Sequence, residues 1–183
     1  MLRFLPNLIT GLRILLIPPF LWLLLQGSYG GALALFLLAA ASDGVDGLLA
    51  RRYGWRSRLG AVLDPLADKL LMLCAYLALG WLAALPWWLV GLVLLRDGLI
   101  VAGALAYYRL FGICEMAPLP VSKLNTLLQS VLVLAVLGAL WQGEVSPPPL
   151  RWLTYLVAAT TLASGAGYVW IWSRRALAGG REQ

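Results

Sequence analysis

Four aspartates lie close together in an otherwise apolar part of the chain: Asp43, Asp46, Asp64 and Asp68. They are half of the eight acidic residues in the 183-residue sequence. Carboxylates at membrane depth are energetically expensive and are usually functional. Neighbouring carboxylates also repel one another, and bound divalent cations remove that repulsion. The residue types and spacing therefore indicate a metal site suited to phosphate chemistry on a lipid.

The spacing of these aspartates places them on two helical faces. Asp43 and Asp46 are three residues apart and share one face, and Asp64 and Asp68 are four apart and share another. We expect the two helices to be antiparallel and joined by a short loop, so that the carboxylates converge. The sequence has no histidine, and an oxygen-only ligand set favours Mg²⁺ or Mn²⁺, with a two-ion site expected.

Small and basic residues accompany the aspartates. Gly47, Ala50 and Gly60 leave room for a bulky ligand to approach the backbone, and Arg51 is placed to neutralise phosphate. Two other interpretations remain open at this level: helix-end acids paired with arginines, and the relay of a cation or proton transporter. The transporter is disfavoured because all four acids lie at one end of their helices.

The elements that must carry these residues are predicted to be membrane helices. The chain is 62% hydrophobic and 12% charged, with a mean hydropathy of +0.85, which is typical of integral membrane proteins. Spanning a bilayer takes about 20 apolar residues per helix. We predict one all-α membrane domain over residues 1–183, with a short interfacial segment at residues 2–7. The six predicted transmembrane helices cover residues 8–26, 32–51, 59–82, 86–109, 123–140 and 150–172.

The distribution of basic residues predicts the orientation. Arginines and lysines concentrate in the loops and tails of one side, which the positive-inside rule makes cytoplasmic, together with both termini. We expect a bacterial inner-membrane location, with the active site on the cytoplasmic side. The net charge of +6 is attributed to contacts with anionic lipids rather than to nucleic acid. An aromatic belt is predicted on the opposite side, from Trp81, Trp87, Trp88, Trp141 and Trp152.

The acidic segment resembles a known family signature. Asp43-x2-Asp46-Gly47-x2-Ala50-Arg51-x8-Gly60-x3-Asp64-x3-Asp68 is similar, at every position, to the signature of the CDP-alcohol phosphatidyltransferases. The resemblance extends to the six-helix layout. It implies transfer of a phosphatidyl group from a CDP-linked lipid, most often CDP-diacylglycerol, to an alcohol, with release of CMP. It also implies a homodimer.

The resemblance implies roles for the signature residues. Asp43, Asp46 and Asp64 would bind metal, and Asp68 would act as the general base close to the second ion. The CDP moiety would be bound by Gly47, Ala50, Arg51 and Gly60. The opening run Leu5-Pro6-Asn7-Leu8-Ile9-Thr10-x2-Arg13 resembles the start of the family's first helix, which makes Asn7 and Thr10 further candidates for nucleotide contacts.

Residues outside the signature bear on the acceptor alcohol. Ser122-Lys123-x-Asn125-Thr126, Arg96-Asp97 and the Thr160-Thr161-x2-Ser164 run resemble the eukaryotic-type cardiolipin synthases of this family. Phosphatidylglycerophosphate synthases usually carry a second lysine where Asn125 stands. One cation fewer favours phosphatidylglycerol over glycerol 3-phosphate as the acceptor, and Arg96, Lys123 and Asn125 are the candidate acceptor contacts. Alternatively, Arg96 and Asp97 simply pair with neighbouring residues, and the hydroxyls of the last helix hold helices together.

Overall fold

The computed structural model describes the backbone of residues 5–53, 58–111, 120–144 and 148–179. It describes most side chains within 11–42, 66–103, 120–144 and 148–174. All regular structure in these parts of the chain is helical, so the predicted all-α class is confirmed for them. The helices are α1 (Leu5–Leu25), α2 (Tyr29–Tyr53), α3 (Arg58–Trp81), α4 (Trp87–Phe111), α5 (Pro120–Trp141) and α6 (Pro148–Gly179).

Prolines explain several differences from the predicted helix boundaries. α5 begins at Pro120 and α6 at Pro148, rather than at the predicted residues 123 and 150. Proline is favourable in the first helical turn, where its missing amide hydrogen has no partner within the helix. α1 begins at Leu5 and runs through both Pro18 and Pro19. Residues 5–7 of the predicted interfacial segment therefore belong to the first helix, and residues 2–4 of that segment lie outside the described residues.

Three helices end in the same kind of turn. After α1, Gly27 has φ of 76°, and the amide of Ser28 donates to the carbonyl of Leu23 at 2.9 Å. This is a Schellman motif, in which a left-handed residue lets two amides satisfy the last carbonyls of the helix. The same pattern follows α3 at Ala83 (φ 54°) and α5 at Gly143 (φ 80°). These turns set where the following segments begin.

The chain divides into two compact units. The first contains residues Met1–Leu85 and Val133–Pro147, and thus α1, α2, α3 and the second half of α5. α1 packs against both α2 and α3. Phe20 of α1 and Phe36 of α2 are 1% exposed, and their ring centroids lie 5.8 Å apart. α1 therefore packs against both of the helices that carry the aspartates.

The first turn of α2 lies against the end of α5 within this unit. A Cβ added to Gly30 would lie 2.8 Å from Nε1 of Trp141 and 3.0 Å from its Cδ1. Such distances are too short for a methyl group, so glycine allows the indole to approach the helix backbone.

The second unit contains residues Pro86–Leu132 and Pro148–Gln183, and thus α4, the first half of α5 and α6. α4 packs against α6, and the rings of Trp88 and Tyr155 stack with centroids 6.1 Å apart. Leu89 and Val157 are fully buried in its core. Further along α4, α5 and α6 the buried positions become polar.

Large apolar side chains are exposed on both units. The five tryptophans of the predicted belt are between 51% and 77% exposed. Within the described residues, α5 is the one helix that is long and apolar enough throughout to cross a membrane, judged by length and composition alone. Shorter apolar helical stretches cover Gly11–Leu25 and Tyr29–Ser42.

Candidate functional site

The backbone at the four aspartates is helical, as the spacing predicted. Asp43 and Asp46 lie in α2, and Asp64 and Asp68 lie in α3. The helical register therefore keeps each pair on one face of its helix. The side chains of Asp43, Asp46 and Asp64 lie outside the described residues. So do those of the predicted CDP contacts, which are Asn7, Thr10, Gly47, Ala50, Arg51 and Gly60.

The side chain of Asp68 is described and is half-buried. It lies four residues before Met72 and eight before Tyr76, which are 7% and 0% exposed. Residues at this spacing form one stripe along a helix, so Asp68 continues the face that α3 buries in the first unit. The donor set, made only of carboxylate oxygens on two helical faces, fits a hard divalent cation.

Arg13 is a buried residue to which we had assigned no role. Its side chain is fully buried in the first unit and is the largest of the fully buried side chains described. A buried guanidinium requires charged or hydrogen-bonding neighbours. It lies one turn after Thr10 on α1, so it extends the run that resembles the family's first helix. The sequence indicates this position only through that run.

Arg96 organises a buried polar layer in the second unit. It is 6% exposed, and its Nε and Nη2 donate to Oγ of Ser164 at 3.3 and 2.7 Å. Nη2 also donates to Oγ of Ser122, and Nη1 pairs with Oδ1 of Asp97 at 2.5 Å. Arg96 and Asp97 therefore pair with each other, which is one form of the structural pairing with neighbours that the sequence left open. Beyond it, Arg96 links α4 to α5 and α6.

Asn125 forms a second polar layer one turn along α5. Its side chain is fully buried, and its Oδ1 accepts hydrogen bonds from the hydroxyls of Thr160 at 2.8 Å and Thr161 at 2.9 Å. Residues three or four apart lie above one another on a helix. Ser122 and Asn125 on α5 therefore align with Ser164 and Thr161 on α6, and the two layers form one polar seam.

Lys123 differs from the other two acceptor candidates. Its side chain is exposed, whereas those of Arg96 and Asn125 are buried. The seam brings Arg96 and Asn125 onto the same polar face and leaves Lys123 outside it. The roles of Ser122 and Ser164 as partners of Arg96 were not predicted, because those partners are far from Arg96 along the chain.

The chain is similar to known proteins along most of its length. A sequence model of the CDP-alcohol phosphatidyltransferase family matches residues 3–172, which include all six helices except the end of α6. The chain belongs to the CDP-alcohol phosphatidyltransferase family. The signature aspartates and the polar seam both lie within the matched region.

Individual relatives within this family carry two kinds of name. A rice protein named "CDP-diacylglycerol--glycerol-3-phosphate 3-phosphatidyltransferase 1, chloroplastic" is 37% identical over 90% of this chain. A Drosophila melanogaster protein named "Probable cardiolipin synthase (CMP-forming)" is 33% identical over 90% of the chain. A Mycobacterium tuberculosis protein named "Probable phosphatidylglycerophosphate synthase" is 38% identical over 70% of it.

The chain spans between about half and two thirds of the length of those relatives. The aligned regions cover 55%, 56% and 63% of the rice, fly and mycobacterial proteins. Identity is similar to relatives named for either acceptor, so overall similarity does not distinguish the acceptors. The distinction must come from particular residues.

Proposed function

We propose that the protein transfers a phosphatidyl group from CDP-diacylglycerol to phosphatidylglycerol, which gives cardiolipin and CMP. The donor class follows from the family, whose signature is complete here from Asp43 to Asp68. Relatives with either kind of name support a lipid-linked alcohol or glycerol 3-phosphate as the acceptor. Family membership also makes a cation or proton transporter the weaker alternative.

The choice of phosphatidylglycerol rests on the charge of the polar seam. Arg96 is paired with Asp97, so the two formal charges cancel. The other groups of the seam are neutral: the buried side chains of Asn125, Thr161 and Ser164, and the half-buried side chain of Ser122. A phosphomonoester such as glycerol 3-phosphate carries up to two negative charges and requires an excess of cations. A phosphodiester carries one charge, and its oxygens suit the neutral hydrogen-bond donors of the seam.

The chemistry is a substitution at phosphorus. Asp43, Asp46 and Asp64 would hold divalent metal, with Asp68 at the second ion. Bound Mg²⁺ or Mn²⁺ would neutralise the pyrophosphate of the donor and make CMP a better leaving group. Asp68 accepts the proton of the acceptor hydroxyl, whose oxygen then forms a bond to the lipid-linked phosphorus. The bond from that phosphorus to the CMP oxygen breaks, and CMP leaves with the electron pair.

The remaining residues act by positioning and by excluding water. Asn7, Thr10, Gly47, Ala50, Arg51 and Gly60 are the proposed contacts of the CDP moiety. Arg96, Lys123 and Asn125 are the proposed contacts of the acceptor. Orienting the two substrates accounts for much of the rate enhancement in such reactions. Placing the reacting groups within the membrane would also protect the donor from hydrolysis.

The proposed setting is the bacterial inner membrane, crossed six times, with both termini and the active site on the cytoplasmic side. The exposed tryptophans support interfacial anchoring. All six helices have at least 21 residues, which is enough to cross the hydrocarbon core. A homodimer is proposed from the family resemblance, and cross-linking in native membranes tests it.

One assay tests the function and the acceptor together. The purified protein is reconstituted with CDP-diacylglycerol and Mg²⁺ or Mn²⁺, and CMP release is measured with each acceptor separately. We expect release with phosphatidylglycerol, loss of release with EDTA, and no release without acceptor. Release only with glycerol 3-phosphate would overturn the acceptor. No release with either acceptor would overturn the proposed reaction.

A further inference from the structure

The amide of Asn125 is held in one orientation by two hydroxyls of α6. Its Oδ1 accepts from Thr160 and Thr161 at 2.8 and 2.9 Å. The Thr160 hydroxyl also lies 3.1 Å from the carbonyls of Leu156 and Val157, so its single hydrogen has other acceptors. The Thr161 hydroxyl has no other acceptor among the described residues, so it requires an oxygen at this position. Thr161 therefore decides which way the amide of Asn125 is turned.

This orientation also fixes the position of the amide nitrogen, Nδ2. Nδ2 of Asn125 carries two N–H donors, is buried, and has no hydrogen-bond partner among the described residues. Buried donors are nearly always paired, because leaving one unpaired is costly. Turning the amide round would not remove the cost, since Oδ1 would then lack a donor and the Thr161 hydroxyl would lack an acceptor. The fold therefore presents a fixed pair of donors that awaits an acceptor atom.

The surroundings of Nδ2 indicate what that atom belongs to. Asn125 lies one turn from Ser122, which binds Arg96, and the Arg96 charge is already balanced by Asp97. The two N–H donors of Asn125 are neutral, and the neighbouring Arg96–Asp97 pair has no net charge. Such a site suits an oxygen with partial negative charge, but it has no excess positive charge to neutralise a dianion. The non-bridging oxygens of a phosphodiester have this character, and they accept strong hydrogen bonds from neutral donors.

We propose that Thr160 and Thr161 are positioning residues that hold Asn125 so that its Nδ2 donates to the phosphodiester of the acceptor lipid. Asn125 then determines specificity, because it supplies hydrogen bonds at the head group without adding a charge. This inference rests on the proposed function. The inference adds to the proposed function two residues of α6, Thr160 and Thr161, which touch no substrate themselves and act by orienting the amide of Asn125.

Asn125→Asp is the central test of this inference. The aspartate has the same shape and still accepts from both threonines, but it loses both donors and adds a negative charge. We expect KM for phosphatidylglycerol to rise roughly tenfold or more, from the loss of hydrogen bonds to a charged group. KM for CDP-diacylglycerol should stay within about twofold of the wild-type value, which also reports that the variant is folded.

Thr161→Val tests the positioning role. It keeps the shape of the side chain but removes the hydroxyl that fixes the amide, so KM for phosphatidylglycerol should rise several-fold while Thr161→Ser restores it. Thr154→Val is the matched control. Thr154 is also buried on α6, at 8% exposure, but among the described residues its hydroxyl donates only to the carbonyl of Leu150 in its own helix, at 2.8 Å. Its KM values should not change.

The outcomes separate this inference from the proposed function. If the wild-type protein releases no CMP with phosphatidylglycerol, the proposed function fails. If the wild-type protein is active and Asn125→Asp has an unchanged KM for phosphatidylglycerol, only this inference fails. It also fails if Thr161→Val and Thr154→Val raise that KM equally. A third contradicting result is an Asn125→Asp variant with lower thermal stability and an unchanged KM, which is expected if the amide binds only trapped water.

Discussion

Replacing Ser164 by alanine tests whether the Arg96 layer holds the second unit together. Ser164 is fully buried, and its Oγ accepts from Nη2 of Arg96 at 2.7 Å and from Nε at 3.3 Å. The longer contact is weak, so the change removes about one good hydrogen bond to a charged group. Such bonds contribute about 1.5–3 kcal/mol in soluble proteins. Polar contacts between membrane helices contribute up to about 1.7 kcal/mol, because the denatured helices also find partners in the membrane.

These two ranges meet near 1.5 kcal/mol, which we take as the expected loss in the free energy of unfolding. For a chain of this length, about 1 kcal/mol corresponds to roughly 2–4 °C in Tm. Ser164→Ala should therefore lower Tm by roughly 3–6 °C in a thermal melt of the reconstituted protein. The matched control is Ser173→Ala, since the exposed Ser173 donates to the carbonyl of Val169 in its own helix at 2.7 Å. This control should change Tm by no more than about 1–2 °C.

A double-mutant cycle isolates the contact itself. In an Arg96→Leu background, Ser164→Ala should have almost no effect, because the guanidinium that it binds is gone. The reasoning would be refuted if Ser164→Ala lowered Tm no more than Ser173→Ala does. It would also be refuted if the loss were the same with and without Arg96.

Two further changes test the first unit. Asp68→Asn should keep binding of the CDP-linked donor in an equilibrium titration but lose most turnover, because the amide cannot accept the hydroxyl proton; near-normal turnover would remove Asp68 as the base. Gly30→Ala should lower stability by roughly 1 kcal/mol, because the new methyl group displaces the indole of Trp141, which is 65% exposed and can move outward. In a Trp141→Ala background the same change should become neutral or stabilising in a thermal melt, since alanine favours helix over glycine.

The helices were largely predictable from the sequence, and the differences have local causes. Runs of about 20 apolar residues separated by polar turns indicated six helices, and six are found in the described residues. The predictions for α5 and α6 started too late because Pro120 and Pro148 were interpreted as loop residues, whereas proline also suits a first turn. α6 continues to Gly179, beyond the predicted residue 172. Its last turns are polar and gave no apolar pattern to follow.

The site was predictable only where its residues are close in sequence. The spacing of the aspartates fixes their helical faces, and the helical backbone confirms that register. The partners of Arg96 are different, because Ser122 and Ser164 lie 26 and 68 residues away along the chain. No periodicity links positions so far apart, so their contact depends on how α4, α5 and α6 pack. The burial of Arg13 likewise could not be inferred from a helix that is apolar on most sides.

The two prolines inside α1 affect how that helix can deform. Pro18 and Pro19 have no amide hydrogen, so neither can complete the bond to the carbonyl four residues earlier, on Ile14 or Leu15. A helix that lacks two successive internal bonds bends there more easily than elsewhere. Because α1 packs against both α2 and α3, a small flexing at this point would alter the spacing between the two rows of carboxylates. Bending of the first helix at these prolines would then let the proposed metal site adapt as substrate is exchanged for product.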